Sequence, residues 1–456
     1  MSADIANAQK YDEASLRNLA DDVIARVRAA GADAADVLMV AGASLSASCR
    51  MDEVEEVERS DGQEFGLRAF IGKRQAIVSS SDFSKNALDQ LITRVVAMAK
   101  LAPEDAYCGL AERDLLARTF PELDICDATE LEMPALIEAA RRAEGAARAV
   151  EGITNSEGAG ASCSHSRVVL ATSEGFSGSY ATSSFGLSCS VLAGEGTAME
   201  RDYEYSSARH YGDLTSPEEI GQVAAQRTLS RLNPRKVKTQ QVPVIYAPRV
   251  SNSLLGHLAG AISGAAVARG TSFLKDRLGK AVFSKGINVF DDPHRRRGLR
   301  SKPYDGEGVA NGRRAIIEDG VLGGWLLDTA SARQLGLRST GNAARGSGSA
   351  PSPATSNFYM EAGKTPTVDI ISSLKNGLFI TELIGMGVNP VTGDYSRGAT
   401  GFWIENGQFA YPVSEITVAG NLLEMFLHIT PGDLLEFRYG MDAPTLMVEG
   451  MTIAGE

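Results

Sequence analysis

Residues 385–421 read GMGVNPVTGDYSRGATGFWIENGQFAYPVSEITVAGN, and this stretch decides the fold of the C-terminal half. Asn406-Gly407 separates two β-rich segments within it, and Asp319-Gly320 stands in the same setting further upstream. A two-residue hairpin turn of type I′ needs positive φ at both central positions, which Asn-Gly and Asp-Gly pairs adopt readily. The C-terminal half is therefore predicted to be a mostly antiparallel β-sheet with shaped loops.

The composition argues against several classes of protein. The chain has 456 residues, of which 43% are hydrophobic, and a net charge of -12. A chain of this length can bury a large core and is expected to divide into two or three domains. Its negative charge disfavours a general nucleic-acid binder or a binder of anionic membranes.

The N-terminus and the cysteines predict a location. Residues 1–16 are polar and acidic, unlike a signal peptide, and no apolar run approaches the roughly 20 residues of a membrane span. The cysteines are scattered and never form a CxxC pair: Cys49, Cys108, Cys126, Cys163 and Cys189. This pattern is typical of free thiols in a reducing compartment. We therefore predict a cytoplasmic protein without a membrane segment.

A plan of helix, β-meander and helix is predicted twice in the first half. Apolar periodicity predicts helices over residues 12–29 and 88–96 around the first meander, and over 131–149 and from Ser216 onward around the second. The β-like segments are residues 37–40, 45–49, 64–70 and 76–79 in the first copy, and 168–172, 178–185 and 187–192 in the second. Turns are predicted at Asp61-Gly62 and Glu174-Gly175. The repetition suggests an internal duplication.

The predicted fold class is α+β, with this duplicated plan followed by a β-rich C-terminal domain. A boundary is expected at Asn233-Pro234-Arg235-Lys236, just before a new strand at Pro243. The predicted domains are an N-terminal α+β domain (1–126), a middle α+β domain (127–236) and a β-rich C-terminal domain (237–456).

A glycine-containing helix is predicted around residues 254–266. Gly256, Gly260 and Gly264 recur at a spacing of four residues, on one helical face. Each glycine inside a helix costs roughly 1 kcal/mol relative to alanine. Close approach of another backbone to this face would offset that cost, so we expect a tightly packed helix there.

The sequence contains no complete set of catalytic groups. The chain has no HExxH, GxSxG or phosphate-loop motif, and His257 fits a packed helical histidine. Asp305 and Glu307 lie two residues apart in a glycine-rich turn, where such a pair could bind a cation, act as acid and base, or serve a structural role. Asp394 and Arg397 could form an ion pair that fixes their loop. We favour structural or interface roles for both pairs.

Six motifs of the C-terminal half resemble the TldD/PmbA family, most closely its TldE (PmbA) branch. They are Arg269-Gly270-Thr271-Ser272-Phe273, Asp291-Asp292-Pro293, Asp305-Gly306-Glu307-Gly308, Ile317-Glu318-Asp319-Gly320-Val321-Leu322, Ser339-Thr340-Gly341-Asn342 and Thr392-Gly393-Asp394-Tyr395-Ser396-Arg397-Gly398. The resemblance covers nearly the whole chain. It implies a cytoplasmic zinc peptidase system made of two related subunits.

In that family the TldD-type subunit carries HExxxH just before the Arg-Gly-Thr-Ser run. Counting back from Arg269, the resemblance assigns the two histidine positions to Leu255 and Gly260, the glutamate to Gly256 and a later acidic position to Ser263. It therefore implies neither a catalytic residue nor a metal ligand in this chain. Zinc is expected in a TldD-type partner.

The resemblance implies a TldE/PmbA-type subunit that supplies interface and cleft for proteolysis of peptides or small unfolded proteins, including removal of leader peptides. Possible cleft or interface residues are Asp305, Glu307, Asp394, Tyr395 and Arg397. The expected partners are a TldD-type paralogue, a second copy when the chain is alone, and peptides added as an edge strand. The family's older description as a modulator of DNA gyrase then reflects an indirect effect.

Three alternatives stay open. The first is a stand-alone homodimeric peptide-binding or scaffold protein without peptidase activity. The second is an independent hydrolase that uses Asp305, Glu307 or a serine. The third, a nucleic-acid regulator, is disfavoured by the negative charge.

Overall fold

The computed structural model describes residues 13–455. The elements of its first half are α1 (Glu13–Ala29), β1 (Ala34–Arg50), β2 (Glu53–Ile71), β3 (Arg74–Ser80), α2 (Lys85–Leu101), α3 (Met133–Arg148), β4 (Ile153–Thr172), β5 (Ser177–Ala193), β6 (Glu200–Ala208) and α4 (Pro217–Ser230). The order of helix, three strands and helix occurs twice, which confirms the duplicated plan.

The two copies share one antiparallel sheet. Its strand order is β3-β2-β1-β4-β5-β6, so the first strand of each copy pairs with the first strand of the other. Pairing between β1 and β4 runs from Asp36 opposite Thr172 to Cys49 opposite Ala159. Backbone hydrogen bonds therefore join the predicted N-terminal and middle domains into a single layer.

The helices α1, α2, α3 and α4 cover one face of this sheet. The period of two along a strand places Val37 and Met39 of β1 under the helices, and Leu38 on the other face. Burying a side chain such as Val37 or Met39 contributes about 1.5–3 kcal/mol. Ser216 begins α4 as predicted, because its hydroxyl accepts the N–H of Glu219 at 3.3 Å.

The predicted turn at Asp61-Gly62 is wrong. β2 runs through both residues, and the hairpin turns instead at Met51-Asp52, where φ is 54° and 71°. Residues 53–62 are all exposed. Neither face of this segment is buried, so its sequence lacks the alternation of apolar and polar residues that predicts a strand. The local Asp-Gly signal is overridden by pairing with β1, which continues unbroken past Gly62.

The C-terminal half has two main sheets and shorter helices. Its elements are β7 (Gln240–Tyr246), α5 (Pro248–Ala261), α6 (Gly264–Ala268), β8 (Val289–Asp292), β9 (Arg314–Glu318), β10 (Val321–Leu322), α7 (Thr329–Gln334), β11 (Ala343–Ala344), β12 (Ser352–Pro353), β13 (Asn357–Met360), α8 (Thr367–Ser372), β14 (Asn376–Ile384), β15 (Asp394–Glu405), β16 (Gln408–Asn421), α9 (Leu422–Leu427), β17 (Ile429–Pro431), β18 (Met441–Asp442) and β19 (Leu446–Ala454).

The larger sheet closes on itself. Its order is β16-β15-β14-β7-β19-β17, and an additional pairing joins β16 to β19. The smaller sheet has the order β10-β9-β8-β13-β18. Parallel pairing is confined to β14 with β7 and β13 with β18 among the named strand pairs of the described residues. The C-terminal half is thus mostly antiparallel, as predicted.

Both predicted hairpin turns are confirmed. Asn406 and Gly407 join β15 to β16 with φ of 49° and 77°. Asp319 and Gly320 join β9 to β10 with φ of 47° and 81°. Positive φ at both positions is what the type I′ turn requires.

The six-stranded sheet of β1 to β6, here called the long sheet, meets the C-terminal half through the face that the helices leave open. Leu38, Leu170 and Phe176 pack there with Tyr304, whose ring lies 4.8 Å from that of Phe176. Within residues 13–455, no helix is long and apolar enough to cross a membrane.

Candidate functional site

The helix α5 carries three of the four positions at which the resemblance places a zinc site. Leu255 is fully buried in the C-terminal core, whereas Gly256 and Gly260 are exposed. Ser263 lies beyond the helix, directly before α6. Neither leucine nor glycine offers a side-chain donor to zinc, so these residues do not fit the metal. Within residues 13–455, no group of three or more His, Cys, Asp or Glu side chains is placed to hold a metal ion.

The expected packing of the glycine face is wrong. A Cβ added to Gly260 would meet nothing within 4 Å, and one added to Gly256 would meet only the Met441 sulfur at 3.8 Å. Gly264 alone is crowded, since its Cβ would lie 2.5 Å from Leu327 Cδ2. α5 ends at Ala261 and α6 begins at Gly264, so the three glycines do not share one helical face.

Four side chains gather between α5 and the closed sheet. The ring centroids of His257 and Tyr395 are 5.8 Å apart at an interplanar angle of 78°. Behind them, the Tyr246 hydroxyl lies 3.4 Å from the Tyr395 hydroxyl. Arg397 follows Tyr395 by two residues on β15, so both side chains point to the same face of the strand.

The electrostatics of this cluster keep His257 neutral. Burial lowers the pKa of His257 to about 4, and the positive charge of Arg397 contributes to the shift. Burial also raises the pKa of Tyr395 and holds the pKa of Tyr246 well above its ordinary value. At neutral pH the cluster therefore holds an imidazole, two phenols and one guanidinium cation.

The expected ion pair between Asp394 and Arg397 is absent from the described residues. Asp394 instead accepts from the Thr392 hydroxyl at 2.6 Å and the Asn421 amide at 3.4 Å. Both residues belong to β15, where positions three apart point to opposite faces. This geometry separates the two charges.

Asp305 and Glu307 are buried, with 2% and 4% of their surfaces exposed. Asp305 accepts the backbone N–H groups of Glu307, Val309 and Ala343 at 2.8–3.0 Å. Glu307 accepts the N–H of Thr329 at 2.8 Å. These bonds organise the loop that faces the long sheet, and they leave neither carboxylate open to solvent.

Burial sets the protonation of this pair. It raises the pKa of Asp305, and it raises the pKa of Glu307 to about 7 with a further contribution from the negative charge of Asp305. Arg68 of β2 approaches Glu307 with its Nη2 atom 3.9 Å from Oε1 and opposes the shift. Any role of these carboxylates toward another molecule stays a prediction.

The junction between the long sheet and the C-terminal half also holds a buried ionic group, which was not predicted from the sequence. Asp36 of β1 accepts from Arg68 at 2.9 Å and from Arg345 of the C-terminal half at 2.7 Å. Burial opposes ionisation of Asp36, but the two arginines outweigh it and hold its pKa below the ordinary value. The signal was present as Arg68 within the apolar run of Phe65–Phe70, because a charge at such a position needs a buried partner.

The remaining surface offers an open groove of about 390 Å³ on the long sheet. Small residues line most of this groove: Ser46, Ser48, Gly160, Ser162, Gly186, Ser188 and Ser207. Glu56 and Tyr205 also line it. Histidine and cysteine are absent from its lining among the described residues.

The fold and the cluster on α5 define a class: an α+β protein with a duplicated sheet domain and a closed C-terminal sheet. Three family models match successive parts of the chain. These are PmbA/TldA metallopeptidase domain 1 (residues 35–99), the central domain (126–232) and the C-terminal domain (239–455).

Curated relatives agree with these matches. The chain is 40% identical over 426 residues to the metalloprotease PmbA of Escherichia coli, and the match covers 93% of each protein. It is 37% identical over 450 residues to a metalloprotease PmbA homolog of Haemophilus influenzae, covering 98% of this chain and 97% of the relative. The chain therefore belongs to the PmbA/TldD metallopeptidase family.

Solved structures share the fold. A candidate modulator of DNA gyrase from Bacteroides thetaiotaomicron superposes with a TM-score of 0.90 at 26% identity, covering 98% of this chain and all of the other. TldE from Thermococcus kodakarensis gives a TM-score of 0.86 at 22% identity, with 96% and 100% covered.

Proposed function

We propose that this chain is the TldE/PmbA-type subunit of a cytoplasmic zinc metallopeptidase system acting on peptides or small unfolded proteins. In this role it lacks a zinc site of its own, and it contributes an interface and part of a cleft to a TldD-type paralogue. The metalloprotease names of the PmbA relatives and the TldE structure support the assignment to this system.

The observation that carries the proposal is the chemistry of α5. The helix presents Leu255 to the core and bare backbone at Gly256 and Gly260. At these positions the resemblance places the residues that bind zinc and the residue that activates the zinc-bound water. His257, the histidine of this helix, lies against Tyr395 with its pKa lowered to about 4 by burial. Within residues 13–455, it belongs to no group of three or more His, Cys, Asp or Glu side chains that could hold a metal ion.

The experiment has two parts. The chain is first purified without a metal-affinity tag, and its zinc content is measured by elemental analysis. We expect less than about 0.1 zinc per chain, because a protein site with three ligands normally retains its metal through purification. The chain is then mixed with the TldD-type paralogue from the same genome, and cleavage of unfolded peptides is followed with and without a chelator.

We expect cleavage that needs both chains and is lost with the chelator. Near one zinc per purified chain would overturn the proposal. Chelator-resistant cleavage by the chain alone would favour the independent hydrolase. A genome without a TldD-type paralogue would favour the stand-alone peptide-binding protein.

A further inference from the structure

Arg397 is an arginine without a counter-ion in an acidic protein. Among the described residues its side chain takes part in no ion pair and no hydrogen bond, although its Nε atom is shielded from solvent. Three other shielded arginines are paired with carboxylates: Arg68 with Asp36, Arg231 with Asp202 and Glu382, and Arg249 with Asp202. Shielding an unpaired guanidinium costs free energy, which an external anion would offset.

His257 beside it also carries an unused polar atom. Its Nε2 is buried and has no hydrogen-bond partner among the described residues. The ring packs edge-on against Tyr395, the residue two positions before Arg397, which fixes its orientation. A neutral imidazole can donate one hydrogen bond from a ring nitrogen, so His257 can serve as a donor next to the guanidinium.

The surface of α5 beside these shielded nitrogen atoms is open. Gly256 and Gly260 flank His257 on α5 and are exposed, and a Cβ at Gly260 would have nothing within 4 Å. The helix therefore presents backbone rather than side chains on the approach to His257. Such a face admits an extended peptide more closely than one covered by larger side chains.

We infer that Arg397 and His257 form a binding site for a carboxylate group carried by a peptide. The planar guanidinium offers its two terminal Nη groups in a fork that matches the two oxygens of a carboxylate, and His257 supplies a third donor. The peptide as the source of the carboxylate rests on the proposed function, whereas the anion site itself does not. The group can be the peptide's C-terminus or the side chain of an aspartate or glutamate.

Calorimetric titration of the full chain, purified alone, tests the site. The probes are an N-acetylated peptide of alanine and valine with a free C-terminus, the same peptide as its C-terminal amide, and the amide with one internal glutamate. We expect the amide without glutamate to bind at least about tenfold more weakly than the acid, as loss of one charge-assisted hydrogen-bond pair implies. Binding restored by the internal glutamate would show that the site takes side-chain carboxylates, and failure to restore it would identify the C-terminus.

Variants separate the site from general charge effects. Arg397→Gln should remove the preference for the acid over the amide. Arg397→Lys should retain only part of this preference, because lysine keeps the charge but lacks the forked geometry of the guanidinium. Lys275→Gln, which removes an exposed cation of the same domain, should leave it unchanged. Equal binding of acid and amide by the wild-type chain would overturn the inference, and so would displacement of the acid by equimolar inorganic phosphate.

A second measurement uses only the wild-type chain, so it does not depend on whether a variant folds. In the wild-type chain, a bound carboxylate favours the imidazolium form, so the NMR titration of His257 should move to higher pH with the acid peptide and not with the amide. An unchanged titration at saturating peptide would contradict the site. Because this assay needs neither zinc nor a paralogue, its failure leaves the proposed peptidase role to be decided by metal content and cleavage.

Discussion

Gly260 and Gly264 lie on either side of the boundary between α5 and α6, and their surroundings differ. Gly260 lies inside α5 with open space around it, whereas Gly264 begins α6 against Leu327 and Ser331. Neither has positive φ, so alanine can adopt both backbone conformations. The two sites therefore differ only in the room available for a methyl group.

We expect Gly260→Ala to stabilise the protein by about 0.5–1 kcal/mol, since it removes backbone freedom from the unfolded chain. Gly264→Ala is the matched variant, and it should destabilise by about 1–3 kcal/mol because the methyl group would overlap Leu327 Cδ2. Urea unfolding of both variants measures these changes. A loss of stability in Gly260→Ala would mean that the outer face of α5 is packed after all.

Glu307 gives the junction a dependence on pH. Its pKa in the folded protein is raised to about 7. Below its ordinary pKa, near 4.5, the side chain is protonated in both folded and unfolded chains, and the fold carries no penalty. As the pH rises from about 4.5 to about 7, the unfolded chain releases this proton while the folded protein still holds it, so stability falls. Above about pH 7 the carboxyl is ionised in both states, and the loss of stability stays constant.

Glu307→Gln should remove this loss. We expect the variant and the wild type to unfold similarly near pH 4.5, and the variant to be more stable by about 1–3 kcal/mol at pH 8. Thermal unfolding at the two pH values measures the difference. Glu436→Gln, an exposed carboxylate of the same domain, is the control and should show no such trend. A variant that is less stable than the wild type at pH 8 would show that attraction to Arg68 outweighs burial.

Among the elements, β2 combines a buried end with a long free edge. β3 pairs only with its last part, from Phe65 to Ile71, so residues 53–62 have β1 as their one neighbouring strand among the described residues. Val54 and Val57 are exposed there to 38% and 51%. The surrounding acids are Glu53, Glu55, Glu56, Glu58 and Asp61. Like charges along an edge discourage pairing with another copy of the same strand.

Removing part of this charge should promote self-association. We expect Glu56→Gln combined with Glu58→Gln to add concentration-dependent species larger than the wild-type particle, because the outer edge of β2 then repels another copy of the same strand less. Sedimentation velocity over a range of concentrations detects them. The control, Glu130→Gln with Glu138→Gln, makes the same change in net charge at exposed sites outside strands. An identical response of the two double variants would point to net charge rather than the edge.

At the scale of the whole molecule, the buried group of Asp36, Arg68 and Arg345 joins the long sheet to the C-terminal half. The Asp36 and Arg345 side chains are each 1% exposed. Breaking a buried pair by removing one partner is costly because the other charge stays buried. This contact is therefore expected to couple the unfolding of the two halves.

Arg345→Met should destabilise by about 3–5 kcal/mol and separate the unfolding of the long sheet from that of the C-terminal half. Both tryptophans, Trp325 and Trp403, lie in the C-terminal half, so their fluorescence follows that half while far-ultraviolet circular dichroism follows the whole chain. We expect the two melting curves to coincide in the wild type and diverge in the variant. Arg338→Met breaks an exposed pair with Asp114 across the same halves, so it should cost no more than about 1 kcal/mol. Coincident curves in Arg345→Met would contradict the coupling.

The sequence alone determined the features that rest on local backbone preference. The hairpins at Asn406-Gly407 and Asp319-Gly320, the start of α4 at Ser216 and the repeated helix–meander–helix order follow from residues within a few positions of one another. It also determined that Gly256 and Gly260 have no side chain to bind a metal. These properties need no knowledge of distant contacts.

Only the tertiary structure decided which distant groups meet. Pairing of β1 with β4 merges the two repeats into one sheet, and it carries β2 through the Asp-Gly pair that resembles a turn. The fold buries Glu307 beside Arg68 and leaves Arg397 unpaired next to His257, while Asp394, three residues away in sequence, bonds elsewhere. Burial and electrostatic pairing depend on residues far apart in the chain, which no local pattern specifies.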